Sequence, residues 1–343
     1  MIRLTRRPIL PALLALAFAA PAFAQGEVNL YTHREPGLIK PLLDRFTAET
    51  GVKVNVVFAA NGLAERMQSE GERSPADLLL SVDVATLNQA IALGVTQPVA
   101  SPALENAVPP HLRGTDNGWW AVSLRARAYY VSRDRVKDAT LTYEDLASPR
   151  FRGRVCSRDG LHPYNTSLIS AVIAHNGEAG AEEWLKGVRA NLAKKPSGGD
   201  RDVAKDIAAG LCDIGPANTY YMGLMAKDPA QNAWAEAVRV ILPTFRDGGG
   251  THVNISGVVF AKHAKNKANA QRLAEWLLSP AAQAIYAEQN HEYPVLAGIE
   301  PNDFLKSLGA LKADTTPLET IGKNRKAASE LVDKVGFNLG PQS

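Results

Sequence analysis

The sequence has few cysteines, no excess of charge beyond its first 24 residues and no long apolar run after them. Only two of its 343 residues are cysteines, so a zinc site built from four cysteines is excluded. The net charge of +3 comes from three arginines in residues 1–24, which leaves 35 of the 38 Lys and Arg against 35 Asp and Glu. This balance, without basic tracts, argues against a nucleic-acid partner. No segment after residue 24 has about 18 consecutive apolar residues, so no membrane-spanning helix is predicted there.

The first 24 residues have the organisation of a secretory signal. A basic region precedes an apolar stretch over residues 9–20 and a small-x-small pattern at residues 22–24, and the basic residues are Arg3, Arg6 and Arg7. Cleavage is expected between Ala24 and Gln25. An N-terminal membrane anchor is the alternative, but the apolar stretch is short for a bilayer-spanning helix. We therefore expect export from the cytoplasm.

Cys156 and Cys212 both lie in the part of the chain that is expected outside the cytoplasm. In an oxidising compartment an even pair of cysteines is more often a disulfide than two free thiols. We therefore predict a Cys156–Cys212 bond, which the chain-entropy model values at about 4 kcal/mol. With 45% apolar residues, the chain is long enough to bury a sizeable core and to form two lobes.

Strand and helix patterns alternate along the chain, as in a parallel sheet with helices on its faces. Apolar periodicity first predicts strands at 28–31, 52–58 and 76–81, and helices at 38–50 and 64–72. Gly51 is placed to end the first helix. A second region of the same kind follows, with predicted strands at 154–157 and 213–216 and predicted helices at 168–175, 181–193 and 201–209. Two more helices are predicted after residue 261, at 268–278 and 280–289.

Two long extended runs, residues 119–132 and 253–261, are each long enough to pass from one lobe to another. Two such crossings describe a hinged clamshell whose cleft is the expected ligand site. We predict an α/β fold with mixed sheets flanked by helices and two crossing hinge strands. The first lobe is expected over residues 25–125 plus 256–305, and the second over residues 126–255 plus 306–343.

Two adjacent tyrosines, Tyr220 and Tyr221, follow the predicted strand at 213–216. A loop at the carboxyl end of a strand in an open α/β sheet faces the ligand crevice. Neighbouring residues of an irregular loop can converge on one point, whereas on a strand they face opposite sides. The alternative is that one ring packs in the core and the other lies on the surface. The doublet Tyr129-Tyr130 within a strand pattern shows that adjacency alone does not decide between them.

A second loop, around Tyr164, strengthens the prediction of a site. Residues 156–167 leave a predicted strand and start a helix, which Asn165 or Thr166 can cap and whose N–H groups suit a small anion. A disulfide would hold this loop beside the Tyr220-Tyr221 loop. Three phenols near one point suit a hard trivalent cation such as Fe(III), which prefers anionic oxygen ligands. A small oxyanion, a phosphonate or a polyamine held between tyrosine rings is the alternative ligand.

These segments resemble the periplasmic ferric-ion-binding proteins that supply ABC iron importers. The resemblance spans nearly the whole chain after the signal. It is strongest in Leu30-Tyr31-Thr32-His33-Arg34-Glu35-Pro36, Ser74-Pro75-Ala76-Asp77, Arg125-Ala126-Arg127, Tyr164-Asn165 and Asn218-Thr219-Tyr220-Tyr221. It implies a type II periplasmic-binding-protein fold, and it implies that Tyr164, Tyr220 and Tyr221 bind Fe(III).

The resemblance also indicates how the site is completed. Some relatives have a His-Tyr pair of ligands where this chain has Glu35-Pro36, and others have a Glu ligand where this chain has Val82. The chain therefore looks most like the branch with three tyrosines and a synergistic anion, often carbonate. Arg125 lies at the position of the family's anion-contacting arginine, with Asn165, Thr166 and Arg34 as further candidates, since a bidentate guanidinium suits carbonate. For either arginine an ordinary surface ion pair is the alternative.

His33 is either a ligand or anion contact from the first lobe, or a solvated loop histidine. Together with this resemblance, the sequence predicts a monomeric, non-enzymatic protein that binds Fe(III) with carbonate or bicarbonate and delivers it to an inner-membrane ABC permease. A secreted hydrolase is the remaining alternative, and the sequence lacks the Gly-x-Ser-x-Gly nucleophile elbow of one such class.

Overall fold

The computed structural model describes residues 26–341, so the expected signal segment and its cleavage site before Gln25 lie outside the described residues. Its strands are β1 (Glu27–Thr32), β2 (Lys53–Phe58), β3 (Leu78–Ser81), β4 (Thr96–Gln97), β5 (Trp120–Ser132), β6 (Ile214–Asn218), β7 (Val238–Ile241) and β8 (Val253–Ala261). Its helices are α1 (Pro36–Thr50), α2 (Leu63–Glu70), α3 (Val84–Ala92), α4 (Pro102–Ala107), α5 (Pro163–Ala190), α6 (Asp200–Ala208), α7 (Thr219–Lys227), α8 (Asn232–Ala237), α9 (Lys267–Leu277), α10 (Pro280–Glu288), α11 (Asp303–Ser307), α12 (Leu318–Lys323) and α13 (Arg325–Val335). Over this range no helix is long and apolar enough to cross a membrane.

Strand β5 belongs to two sheets. Its first half, up to Ala126, pairs antiparallel with β8, and its second half, from Arg127, pairs antiparallel with β6 and β7. Beyond β8 lie β3, β1 and β2, of which β1 pairs parallel with both of its neighbours. The backbone N–H of Arg127 donates to the carbonyl of His252, immediately before β8 begins. The two long runs predicted to cross between lobes are thus confirmed as strands, and they meet where β5 changes partners.

Apolar side chains form two main cores, one beside each half of β5. The first contains the buried faces of β1, β3, β8 and α1, and the second packs α5 and α13 against the second half of β5. Leu318 of α12 packs in the first core, whereas Ile321 of the same helix packs in the second. We propose the lobe boundaries given by the sequence patterns, 25–125 plus 256–305 and 126–255 plus 306–343, with α12 of the second lobe packing against both cores.

Local predictions agree with the structure at some positions and fail at others. Gly51 ends α1 in the left-handed conformation, with its N–H donating to Thr47, as predicted. The strand predicted at 154–157 is wrong, because only Val155 forms β-bridges before the chain turns towards α5. The helices predicted at 168–175 and 181–193 are one element, α5, which Gly177 interrupts with a φ of 71°.

The predicted disulfide is confirmed, because Cys156 and Cys212 are bonded and both are buried. The bond joins the segment that leads into α5 to the residue just ahead of β6. A parallel β-bridge between Val155 and Ile214 joins the same two segments. The two chain segments that end at the tyrosines are therefore fixed side by side.

Replacing both cysteines by alanine is expected to lower the free energy of unfolding by about 4 kcal/mol, because the bond closes a loop with a sequence separation of 56. Denaturant titration of the wild type and the double variant measures this difference. Reductant should destabilise the wild type by a similar amount and leave the double variant unchanged. Equal stability of the two oxidised proteins would contradict the expectation.

Candidate metal centre

The three tyrosines lie in the first turns of two helices, so the prediction that they occupy loops is wrong. Tyr164 is the second residue of α5, and Tyr220 and Tyr221 follow Thr219 at the start of α7. Strand β6 passes into α7 at Asn218 with no loop between them. Consecutive residues of a helix are about 100° apart, so both rings can occupy one side of α7. On a strand they would have pointed to opposite faces.

The phenols nevertheless come together as expected. The hydroxyl oxygens of Tyr164 and Tyr220 are 3.3 Å apart, and the ring centroids of Tyr220 and Tyr221 are 4.1 Å apart at an interplanar angle of 34°. Tyr220 and Tyr221 are only 2% and 7% exposed, whereas Tyr164 is half-buried. Leu38 of α1 and Leu224 pack against the same cluster. The structure thus brings all three predicted metal ligands to one place, which a side chain of α1 partly covers.

Burial makes two of these phenols harder to ionise than a free tyrosine. It raises the pKa of Tyr220 well above the usual 10, and the neighbouring Tyr164 and Tyr221 raise it further, while Arg125 and Arg34 act in the opposite direction. Burial also raises the pKa of Tyr221, with Tyr164 and Asp200 adding to the effect. A cation bound here must therefore displace protons from these phenols.

Among residues 26–341 no group of three or more His, Cys, Asp and Glu side chains is arranged to hold a metal ion. The oxygen donors that converge in this part of the molecule are phenols. Phenolates are hard, anionic donors, and such donors suit a hard cation better than a soft one. The chemistry of this cluster therefore fits a trivalent cation.

Arg34 and Arg125 are both buried, so neither forms a surface ion pair. Their guanidinium groups share the hydroxyl of Ser256, at 3.3 Å from Arg34 and 2.7 Å from Arg125. The fully buried carboxylate of Glu292 forms an ion pair with Arg34 and lies 4.0 Å from Arg125. The Nε atoms of Arg34 and Arg125 are both buried and have no hydrogen-bond partner among the described residues. Each guanidinium group therefore keeps a donor that a ligand can use.

These two arginines face the phenols. The guanidinium carbon of Arg34 lies 5.8 Å from the ring centroid of Tyr220, and that of Arg125 lies 5.8 Å from the ring centroid of Tyr164. Arg34 precedes α1, and Arg125 lies in the half of β5 that pairs with β8. The positive groups therefore approach the tyrosines from the side of the first core.

A second pair of arginines approaches from the other side. Arg127 and Arg158 both form ion pairs with the buried carboxylate of Asp200, at 2.6 and 3.1 Å. The guanidinium carbon of Arg158 is 5.2 Å from the ring centroid of Tyr164. The sequence patterns did not point to Asp200 or Arg158. A signal for Arg127 was present, because residues two apart on a strand share a face, and Arg125 and Arg127 are so spaced within the buried strand β5.

Asn165 and Thr166 do not cap α5, and that prediction is wrong. The N-cap residue is His162, whose Nδ1 accepts from the backbone N–H of Tyr164 at 3.2 Å. The backbone N–H groups of Asn165 and Thr166 both donate to the carbonyl of His162. The amide of Asn165 also binds Ser157 and Arg127. The structure gives each of these groups a partner within the chain. Anion binding by these two residues stays a prediction.

His33 is partly buried at the edge of a cavity of about 230 Å³, which Asp83, Pro163 and Arg325 also line. Its Nδ1 is buried and has no hydrogen-bond partner among the described residues. Burial lowers its pKa, and the nearby Asp83 opposes this shift. The ring is therefore neutral near pH 7. A role for His33 as a ligand or as an anion contact stays a prediction.

A two-lobed α/β fold with a buried polar cluster of this kind is typical of a protein that captures a small solute. Residues 73–312 match the family of bacterial extracellular solute-binding proteins, and the chain belongs to that family. Iron uptake protein A1 of Synechocystis sp. is 43% identical to it over 317 residues, which cover 91% of this chain and 88% of the relative.

Solved structures of ferric-binding proteins also match this chain over most of its length. Apo ferric ion-binding protein A of Pasteurella haemolytica matches with a TM-score of 0.88 at 47% identity, covering 91% of this chain and 98% of that chain. A Trichodesmium protein in complex with iron and citrate ligands matches with a TM-score of 0.85 at 40% identity, covering 91% of this chain and 100% of that chain. The predicted type II fold and the predicted family are both confirmed.

Proposed function

We propose that this chain captures Fe(III) through the phenolates of Tyr164, Tyr220 and Tyr221 and delivers the ion to an ABC permease. The observation that carries the proposal is the convergence of three phenols where two helices begin, with 3.3 Å between two of their oxygens. The ferric-binding names of similar proteins support the choice of cation. In this proposal the protein acts as a monomeric periplasmic binder rather than as an enzyme, after export by its N-terminal signal.

The charge around the phenols supports a synergistic anion. Three phenolates neutralise the charge of Fe(III). Four guanidinium groups in ion pairs with two buried carboxylates leave a net charge of +2 beside them, and these groups belong to Arg34, Arg125, Arg127, Arg158, Glu292 and Asp200. Arg201, whose guanidinium carbon lies 5.0 Å from the ring centroid of Tyr221, adds to this positive charge. An anion such as carbonate offsets the surplus, and the free Nε of Arg125 is a donor for it.

Closure of the two lobes accounts for how the ion is kept and released. Tyr220 and Tyr221 lie in α7, which follows the strand that pairs with the second half of β5. Leu38 and Arg34 lie on the side of the first core. Opening about the junction of β5 and β8 would separate these groups and expose the phenols to water. Protons displaced on binding return when the phenolates are exposed, so opening on the permease favours release.

Titration of Fe(III) into the purified protein in bicarbonate buffer tests the proposed function. Phenolate ligation is expected to give a visible charge-transfer band that saturates at one ion per chain. A protein that instead binds an oxyanion, a phosphonate or a polyamine gives no such band. Absence of the band at saturating Fe(III) would refute the proposal.

Replacing Arg125 by lysine is expected to raise the bicarbonate concentration for half-maximal iron loading by about 10-fold or more, while iron binding at saturating bicarbonate changes little. Lysine keeps the charge but loses the planar set of donors, and outer contacts of metal sites are typically worth 10–100-fold. A control for the loss of backbone contacts is Arg133→Lys, because the exposed Arg133 also donates to backbone carbonyls but lies away from the phenols. An unchanged bicarbonate requirement in the Arg125 variant would contradict an anion role.

A further inference from the structure

Helix α7, which carries two of the phenols, rests against the ring of His291 at Gly223. A Cβ atom added to Gly223 would lie 2.5 Å from Cγ and 2.6 Å from Cδ2 of that ring. Atoms of this kind do not approach so closely, so any larger residue at Gly223 must displace either the helix or the ring. The glycine thus sets how near α7 lies to the chain that follows α10.

The ring of His291 has little freedom to move away. His291 is 2% exposed, and its Nδ1 is hydrogen-bonded to the side-chain amide of Asn302. The ring also packs edge-on against Phe304, with 5.4 Å between the ring centroids. Its backbone has a φ of 54°, in the left-handed region that non-glycine residues seldom adopt. An imposed clash would therefore be transmitted to α7 rather than absorbed by the histidine.

The two neighbours of His291 reach other sides of the phenol cluster. The side chain of Asn290 donates to the backbone carbonyl of Leu38, which packs against Tyr220 and Tyr221. Glu292, on the other side, forms the buried ion pair with Arg34. Three consecutive buried residues therefore contact the helix, the apolar cover and the arginine of one site.

We propose that His291 is a positioning residue of the phenol site, which fixes the place of α7 through its contact with Gly223. Gly223 is three residues after Tyr220, and residues so spaced lie on the same side of a helix one turn apart. A shift of α7 at Gly223 therefore moves the phenol of Tyr220 relative to that of Tyr164. The proposal rests on the proposed function only for the identity of the bound cation.

The test is Gly223→Ala, alone and combined with His291→Gly, which removes the ring and tolerates the left-handed backbone. Gly223→Ala is expected to weaken Fe(III) binding by about 10–100-fold and to shift the visible band, as loss of an outer contact does at other metal sites. The double variant is expected to regain part of the lost affinity, because the clash is gone but the ring that positions α7 is also gone. Wild-type affinity in Gly223→Ala, or no recovery in the double variant, would overturn the proposal.

Gly187→Ala is the matched control. A Cβ at Gly187 would lie 2.8 Å from the Cβ of Ala147, in a part of α5 that is not in contact with the phenols. It is expected to lower the stability and to leave the iron affinity unchanged. An equal loss of iron affinity in this control would show that any helix clash suffices, which would overturn a specific role for His291.

An iron-free measurement separates this proposal from the proposed function. Crystal structures of the iron-free wild type and variants measure the separation of the hydroxyl oxygens of Tyr164 and Tyr220, which is 3.3 Å in the wild type. This separation is expected to change in Gly223→Ala and to return towards the wild-type value in the double variant. An unchanged separation in Gly223→Ala would overturn the positioning role, whether or not the wild type binds iron. Wild-type protein that binds no iron refutes the proposed function alone.

Discussion

Replacing Tyr220 by phenylalanine is expected to weaken Fe(III) binding by at least about 100-fold and to reduce the intensity of the visible band. The change removes a ligand rather than an outer contact, and even outer contacts are worth 10–100-fold. The ring remains, so the packing of Tyr220 against Tyr221 and Leu38 is kept. Competition with a chelator of known affinity measures the loss, and thermal unfolding checks that the fold is intact.

Tyr164→Phe and Tyr221→Phe are expected to act in the same direction. The matched control is Tyr129→Phe, because Tyr129 is equally buried and belongs to the other tyrosine doublet. Its hydroxyl donates to the carbonyl of Tyr143 in the second core rather than to a cation. This control should lose some stability and keep its iron affinity. If all three site variants bind Fe(III) as tightly as the control, the ferric assignment is wrong.

Acidification is expected to weaken iron binding steeply. Burial raises the pKa of both Tyr220 and Tyr221, so both phenols are protonated near pH 7 in the iron-free protein. Each must lose a proton to bind as a phenolate, and each proton released makes the affinity fall about 10-fold per pH unit of acidification. Deprotonation of these two residues alone is expected to make the affinity for Fe(III) fall by about 100-fold per pH unit below neutral pH.

Chelator competition at a series of pH values, corrected for protonation of the chelator, gives this slope. Protons released on adding Fe(III) to weakly buffered protein give the same number independently. Tyr220→Phe should reduce both the slope and the release by one proton, whereas Tyr129→Phe should change neither. An affinity that does not depend on pH between 5 and 8 would contradict phenolate ligation.

The sequence predicted the parts of the molecule that depend on local patterns. The long runs that became β5 and β8 consist largely of apolar and small residues, and both strands are almost entirely buried. The disulfide followed from the count of cysteines and their expected compartment. The tyrosines were identified, but their position in helices was not. Nothing in the sequence marks the residue at which the strand passes directly into the helix, so a loop was predicted between them.

The remainder of the site depends on contacts between distant parts of the chain. Glu292 pairs with Arg34 only after α10 packs beside α1, and no periodicity around residue 292 indicates that partner. The contact of His291 with Gly223 likewise exists only when the chain after α10 meets α7. Burial of a carboxylate between two guanidinium groups is a tertiary property, so composition and spacing do not reveal it.

The most direct test of the central claim is a crystal structure of the iron-loaded protein with data collected at the iron absorption edge. Anomalous scattering locates the ion independently of the protein atoms. The proposed function predicts a single strong peak within bonding distance of the phenolate oxygens of Tyr164, Tyr220 and Tyr221, with an anion between the ion and Arg125. A peak elsewhere, or one that contacts none of the three phenols, would contradict it.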